Sequence, residues 1–250
     1  MEVILELKNL NKHFDGIYVS KDINLKILRG SLTAVIGPNG AGKTSLFNLI
    51  SGYIEKDSGQ ILYQGMDITN NKPEQIASMG IVRAFQVANI FPDETVYDNV
   101  LMAGISLYKK SVNFISDKYS YKNINEHTDM ILKSLNLFNK RDSKASELSH
   151  GDQKILDIAM ALTLSPKVLL LDEPTAGMSP DERKSMVRVI KELHKKFSLT
   201  TLFIEHDMDI VFGIAEIIRV MVRGEIIAEG LPEEIRNNPM VIESYLGKEV

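Results

Sequence analysis

Between a short β-branched run, Leu32–Ile36, and an amphipathic stretch, Thr44–Ser51, lies Gly37-Pro38-Asn39-Gly40-Ala41-Gly42-Lys43-Thr44. Every fixed position of the pattern G-x-x-x-x-G-K-[ST] is filled, which constrains what this chain can fold into more than any other feature. Leu46, Leu49 and Ile50 recur at helical spacing and Gly52 stops the helix. In the order strand, glycine-rich loop, helix, backbone N–H groups can wrap a phosphate while the helix N-terminus adds a positive field. Lys43 can then reach β- and γ-phosphates, and Thr44 can offer its hydroxyl to magnesium. A bland glycine turn with a surface lysine would need neither the strand nor the helix.

A phosphate cradle also needs a metal anchor and a group that activates water. Leu169-Leu170-Leu171-Asp172-Glu173 ends a buried run with two carboxylates. Asp172 is suited to hold magnesium through water, and Glu173 to act as general base. By itself such a pair is commonly a solvated strand end; beside a phosphate loop it reads as functional. His206 follows a third apolar run, Thr201–Ile204, and that position favours a γ-phosphate contact, because ligands gather at the strand ends of open parallel sheets.

Buried strands alternate with helices elsewhere too, which argues for a parallel α/β sheet. Pro180–Phe197 reads as a helix with Met186, Val187, Ile190, Leu193 and Phe197 on its apolar face. Ser179 is its natural N-cap and Glu182 completes a capping box. Val3, Leu5 and Leu7 alternate with Ile4, Glu6 and Lys8 as an early half-buried strand, and Ile217–Val222 with Glu225–Ala228 reads as a late hairpin around Arg223-Gly224. The stretch 87–149 has few strand signals and several amphipathic helical ones, notably Asn125–Leu137 with Met130, Ile131, Leu135 and Leu137.

At 250 residues the chain can bury roughly 70–75% of its unfolded surface without covalent staples. No cysteine is present, which excludes disulfides, thiolate metal sites and cysteine nucleophiles. The net charge of −4, with both signs interspersed, gives no reason to expect a nucleic-acid partner. The opening MEVILELKNL lacks the basic start and apolar run of a signal peptide. Ile210–Val222 is too short, and too charged at Glu216 and Arg219, to span a bilayer.

Taken in order, these elements resemble the ATP-binding subunits of ABC transporters over essentially the whole chain. The deciding motif is Leu148-Ser149-His150-Gly151-Asp152-Gln153, which is similar to the family signature usually written LSGGQ. Its serine and second glycine are kept as Ser149 and Gly151; the departures are His150 and Asp152, the latter bringing a negative charge near phosphate. A further departure is Ser179, where many relatives carry aspartate. The resemblance implies a RecA-like α/β ATPase core with a parallel sheet, an N-terminal antiparallel β part and an inserted α-helical subdomain. Its expected limits are 1–86 and 159–234 for the core, 87–158 for the subdomain and 235–250 for a tail.

The family's roles carry over as expectations. ATP would contact Phe14, stacked on adenine, then Gly37, Pro38, Asn39, Gly40, Ala41, Gly42, Lys43, Thr44 and Ser45, with Ser149 and Gly151 clamping the γ-phosphate held by an opposite subunit. Thr44, Gln86 and Asp172 would serve Mg2+, and Glu173, His206, Lys43 and Gln86 the hydrolysis. Gln86, in Arg83-Ala84-Phe85-Gln86, would link the metal site to the membrane partner. The implied partners are integral membrane permease subunits, a second identical or paralogous ATP-binding subunit arranged head to tail and, indirectly, a solute-binding protein. The expected location is the cytoplasmic face of the cell membrane. Stretches such as Ala176-Gly177-Met178-Ser179-Pro180, Glu205-His206-Asp207-Met208-Asp209 and Asn238-Pro239-Met240-Val241 look like the branched-chain amino-acid uptake branch. Branches serving urea, amides or lipopolysaccharide share much of that pattern. A non-transport relative would add coiled coils or a second ATPase unit, a phosphate-loop kinase or GTPase would lack Leu148–Gln153, and a binding-only module would not keep Lys43, Asp172, Glu173 and His206 together.

Overall fold

The computed structural model describes residues 2–84, 89–108 and 117–245. The chain opens with β1 (Val3–Phe14), β2 (Ile17–Leu28), β3 (Leu32–Ile36), α1 (Lys43–Ile50), β4 (Ser58–Tyr63), β5 (Met66–Asp67), α2 (Pro73–Met79) and β6 (Ile81–Ala84). Three helices follow, α3 (Val96–Tyr108), α4 (Asp117–Ser134) and α5 (His150–Thr163). The remainder is β7 (Val168–Asp172), α6 (Pro180–Phe197), β8 (Thr200–Ile204), α7 (Met208–Ile214), β9 (Ile217–Val222), β10 (Glu225–Gly230), α8 (Pro232–Arg236) and α9 (Pro239–Ser244).

The strands form two sheets. The first is antiparallel, in the order β2-β1-β4-β5; the second runs β10-β9-β3-β8-β7-β6, parallel except for the β10–β9 hairpin. All five residues of β3, of β7 and of β8 are buried. Strands covered on both faces need apolar side chains at every position, which is why they read as continuous runs rather than alternations. The two faces feed different cores. Ala34, Ile36, Leu169, Leu171 and Phe203 pack with α3, α5 and α6. Val35, Val168, Leu170, Leu202 and Ile204 pack against Leu46, Phe47, Leu49 and Ile50 of α1 and against the antiparallel sheet. Each fully buried Leu or Ile contributes on the order of 1.5–3 kcal/mol, so this two-sided sheet is the rigid base from which the strand ends project.

Helix α6 starts and stops as its sequence asks. Ser179 accepts from the N–H of Glu182, whose carboxylate returns to the Ser179 N–H at 2.9 Å, and Pro180 occupies the first helical position. Met186, Ile190 and Leu193 are buried as expected; Val189 joins them, while Val187 and Phe197 are only partly covered. Replacing Ser179 with Ala is expected to cost about 1 kcal/mol and to lower the melting temperature by about 2–4 °C. An unchanged melting curve would mean the cap is not holding the helix.

The expected helix Asn125–Leu137 ends earlier, at Ser134, because Asn136 adopts φ +58, which breaks the right-handed ladder. Ile131, Leu135 and Leu137 are buried, but Met130, expected on the same face, is 41% exposed. The apolar stretch Ile210–Val222 divides between α7 and β9, and Arg219 within it is buried with its Nη2 2.9 Å from Glu229 Oε1. Among the described residues no helix is long and apolar enough to cross a membrane.

Candidate ATP site

The loop Gly37–Thr44 sits at the carboxyl end of β3, between β8 and β9, where the parallel sheet opens to ligand. Gly42 begins α1 with φ +102 and provides no side-chain cap, and no acidic residue lies in the first turn. By contrast α5, α6, α7 and α9 are each capped by a side chain, from Ser149, Ser179, Asp207 and Asn238. Among the described residues no side chain caps the N–H groups and positive dipole end of α1, which suits a bound phosphate. Lys43 is buried, and its Nζ donates to the carbonyls of Gly37 at 2.6 Å and Pro38 at 3.0 Å. Burial pushes its pKa down, opposed by the charges of Glu173 and Asp172.

A cavity of about 1030 Å³ opens over the loop, lined among others by Pro38, Asn39, Gly40, Ala41, Glu173 and His206. The phosphate loop and the ends of β7 and β8 thus meet as the sequence suggested. Arg223 and the tail residues Met240, Glu243 and Ser244 form its outer wall, a contribution that no motif announced.

Glu173 takes φ +48, a left-handed conformation costly for a residue with a Cβ. Its N–H donates to Ile204 O at 3.0 Å, its carbonyl accepts from Lys154 Nζ at 3.0 Å, and its Oε1 lies 2.9 Å from His206 Nε2. Behind the pair, buried Glu205 ties the two strand ends together. Its Oε1 accepts from the Thr175 N–H at 2.9 Å and the Thr175 hydroxyl at 2.6 Å, and its Oε2 accepts from the His206 N–H at 3.2 Å. In the sequence Glu205 stands out only as part of Glu205-His206-Asp207-Met208-Asp209, and Lys154 belongs to no motif.

Asp172 is 2% exposed and its Oδ2 pairs with Arg83 Nη2, while Arg83 Nη1 donates to Asn48 of α1. Its other oxygen, Oδ1, is buried and has no hydrogen-bond partner among the described residues. An orphaned carboxylate oxygen at a strand end fits a hydrated cation. Among the described residues no group of three or more His, Cys, Asp or Glu gathers as a metal cage. Magnesium keeps most of its waters and relies on one or two carboxylates plus phosphate oxygens, so a single carboxylate such as Asp172 could serve it. Gln86, the third expected metal contact, lies outside the described residues.

Phe14 ends β1 and is 45% exposed, with Lys12 Nζ 5.0 Å from its ring centroid. It is not among the residues lining the cavity. Its hairpin nevertheless abuts the loop, since a Cβ added to Gly42 would lie 2.0 Å from the carbonyl of Val19 on β2. Asp57 steadies the hairpin by accepting from Lys12 Nζ at 2.9 Å and from the His13 N–H at 2.7 Å. Those bonds, Lys12 first, hold its carboxyl at about 2, so the clamp persists above the ordinary carboxylate range and opens only as pH falls toward that value.

Ser149 caps α5 by accepting from the Asp152 N–H at 3.2 Å, and Gly151 follows in the first turn. Neither lines the cavity. The charge of Asp152, a departure from the signature, is met by Lys140. His150 lies over the next loop, its Nε2 being 3.3 Å from where a Cβ on Gly177 would stand.

A family model described as ABC transporter matches residues 20–176, and one described as Branched-chain amino acid ATP-binding cassette transporter matches residues 225–250. The probable branched-chain amino acid transport ATP-binding protein LivG of Archaeoglobus fulgidus is 40% identical over 246 residues, covering 98% of this chain and 95% of that protein. The high-affinity branched-chain amino acid transport ATP-binding protein LivG of Escherichia coli (strain K12) is 36% identical over 250 residues, covering 98% of each. A crystal structure of an ATP-binding cassette of an ABC transporter in its ADP conformation has a TM-score of 0.86 at 32% identity, covering 99% of this chain and 100% of that one. A nucleotide-free cassette gives 0.84 at 33% identity, covering 98% of this chain and 99% of that one. The fold is thus the α/β cassette fold, and the chain's activity is ATP hydrolysis that drives transport. The chain belongs to the ABC transporter family, in its branched-chain amino-acid LivG branch.

Proposed function

We propose that this chain is the ATP-hydrolysing subunit of a transporter that takes up branched-chain amino acids, working at the cytoplasmic face of the membrane. Support for the solute comes from the LivG relatives, whose names specify branched-chain amino acid transport, and from the match of residues 225–250. The observation that carries the chemistry is the meeting, around one cavity, of the loop residues Pro38–Ala41, which lead into the uncapped α1, with the Glu173–His206 pair.

In this reading the backbone of Gly37–Gly42 with Lys43, Thr44 and Ser45 grips the phosphates, and Phe14 stacks on adenine. Thr44, Asp172 and Gln86 would hold magnesium, which when bound supplies charge neutralisation at the β- and γ-phosphate oxygens. Glu173 takes the proton of the attacking water, and His206 holds that carboxylate and the γ-phosphate in register. Positioning and charge stabilisation carry most of the rate. Ser149 and Gly151, which do not line the cavity of their own chain, would serve a second ATP-binding subunit, identical or paralogous, packed head to tail.

The division of labour follows the proposed limits: 1–86 and 159–234 bind and hydrolyse, 87–158 carries the signature, and 235–250 is the tail, from which Met240, Glu243 and Ser244 line the cavity. A groove of about 220 Å³, lined by Tyr53, Pro73, Ala77, Arg83, Ala103 and Met160, is where a permease subunit would dock. Arg83, which lines this groove, is the same side chain that pairs with Asp172. A solute-binding protein would deliver cargo on the far side of the membrane.

The test is solute uptake by the assembled transporter in vesicles. Leucine, isoleucine and valine are expected to accumulate only with ATP inside, and to stimulate phosphate release. Stimulation by urea, amides or a lipid instead would reject the solute assignment.

A further inference from the structure

Lys154 is a buried cation that the chemistry above does not use. It projects from α5 and is 4% exposed, yet burying an ammonium costs several kcal/mol unless bonds and opposite charges compensate. A methionine would fill the same space at none of that cost, so its charge calls for an explanation. Its Nζ donates to the carbonyl oxygen of Glu173 at 3.0 Å. Burial pulls its pKa down, while the carboxylates of Glu205, Glu173, Asp157 and Asp172 push it back up.

Glu173 is the residue with φ +48, and both sides of its backbone are pinned. The N–H is tied to Ile204 of β8, and the carbonyl is tied to Lys154 of α5. A strained backbone persists only where its surroundings over-determine it. The helix that supplies the second tie begins at Ser149 and His150, about 6 Å of helical rise before Lys154. The first turn of α5 thus carries Ser149 and Gly151, and its next turn grips the peptide that aims the Glu173 carboxylate.

We propose that Lys154 is a positioning residue that couples the signature helix to Glu173, so that engagement of Ser149 and Gly151 by nucleotide on a partner subunit sets the hydrolytic carboxylate of this chain. The proposal rests on the assignment of Glu173 as the base. Lys154 acts through the peptide it holds.

The full chain in its assembled transporter is compared with Lys154→Met, Lys154→Arg and Glu173→Gln. Lys154→Met is expected to bind ATP within about threefold of the parent while kcat falls about 10–100-fold, since misplacing a reacting group by about 1 Å costs on that order. Lys154→Arg, which keeps a donor for the carbonyl, is expected to recover most of that loss. A merely structural lysine would lower the melting temperature and leave kcat per folded molecule unchanged. That result, or a fall in ATP affinity matching the fall in kcat, would overturn the proposal. If Lys154→Met does not fold, Lys154→Gln, neutral and too short for the same bond, is read by the same criteria. An inactive Glu173→Gln beside a fully active Lys154→Met sinks only the coupling; a fully active Glu173→Gln sinks the base assignment itself.

Discussion

Replacing Glu173 with Gln is expected to lower ATP turnover by about 10²–10⁴-fold and to leave ATP binding largely intact. The amide has the same shape and can keep the contact that Oε1 now makes with His206 at 2.9 Å, but it cannot take a proton from water. The backbone that aims the side chain is held by Ile204 and Lys154, so the substitution removes a function without removing its support. The phosphate loop lies on a different strand end and keeps its own bonds from Lys43 to Gly37 and Pro38. Phosphate release and a nucleotide titration on the same preparation read the two effects separately. Hydrolysis near the parent rate would reject Glu173 as the base, and a parallel collapse of ATP affinity would mean the side chain serves binding.

The second large effect falls on Gly42. Alanine there would put its Cβ 2.0 Å from Val19 O and 2.9 Å from Met221 Cε, at φ +102. Strain of about 1–3 kcal/mol adds to overpacking of about 1–3 kcal/mol, for an expected loss of about 2–6 kcal/mol. For a chain of this size that is a fall of roughly 4–24 °C in melting temperature. ATP affinity should fall with it, because moving the start of α1 turns its N–H groups away from the phosphates. Gly40 is the internal control: it has φ +79, but an added Cβ meets nothing within 4 Å. Gly40→Ala is expected to cost about 1–2 kcal/mol. Equal losses at the two positions would show that conformation alone, and not the approach of β2, demands glycine at position 42.

Much of the fold was legible because its signals are local. β3, β7 and β8 are short β-branched or leucine-rich runs, and the limits of α6 coincide with a cap, a proline and a capping glutamate. Helix α4 was harder to read, because its end depends on Asn136 entering the left-handed region rather than on a glycine. Within the site, Lys43, Asp172, Glu173 and His206 could be named because each belongs to a contiguous pattern at a strand end.

The supporting layer was not legible. Lys154 and Glu173 are 19 residues apart, Arg83 and Asp172 are 89 apart, and Thr175 and Glu205 are 30 apart. A lysine on a mostly apolar helix and an arginine closing a strand look, in sequence, like ordinary solubilising charges. Nor could a motif reveal that Lys140 would meet the charge of Asp152, or that α9 would wall the cavity.

By itself, then, the sequence determined the phosphate loop, the strand ends that answer it and the order of the layers, since these follow from backbone conformation and apolar period over a few residues. Only the tertiary structure decided how Glu173 is held and why Gly42 tolerates no side chain. Both depend on atoms that the chain brings together only when β2, α5 and β8 close around the same strand ends, and no local pattern carries the free energy of those contacts.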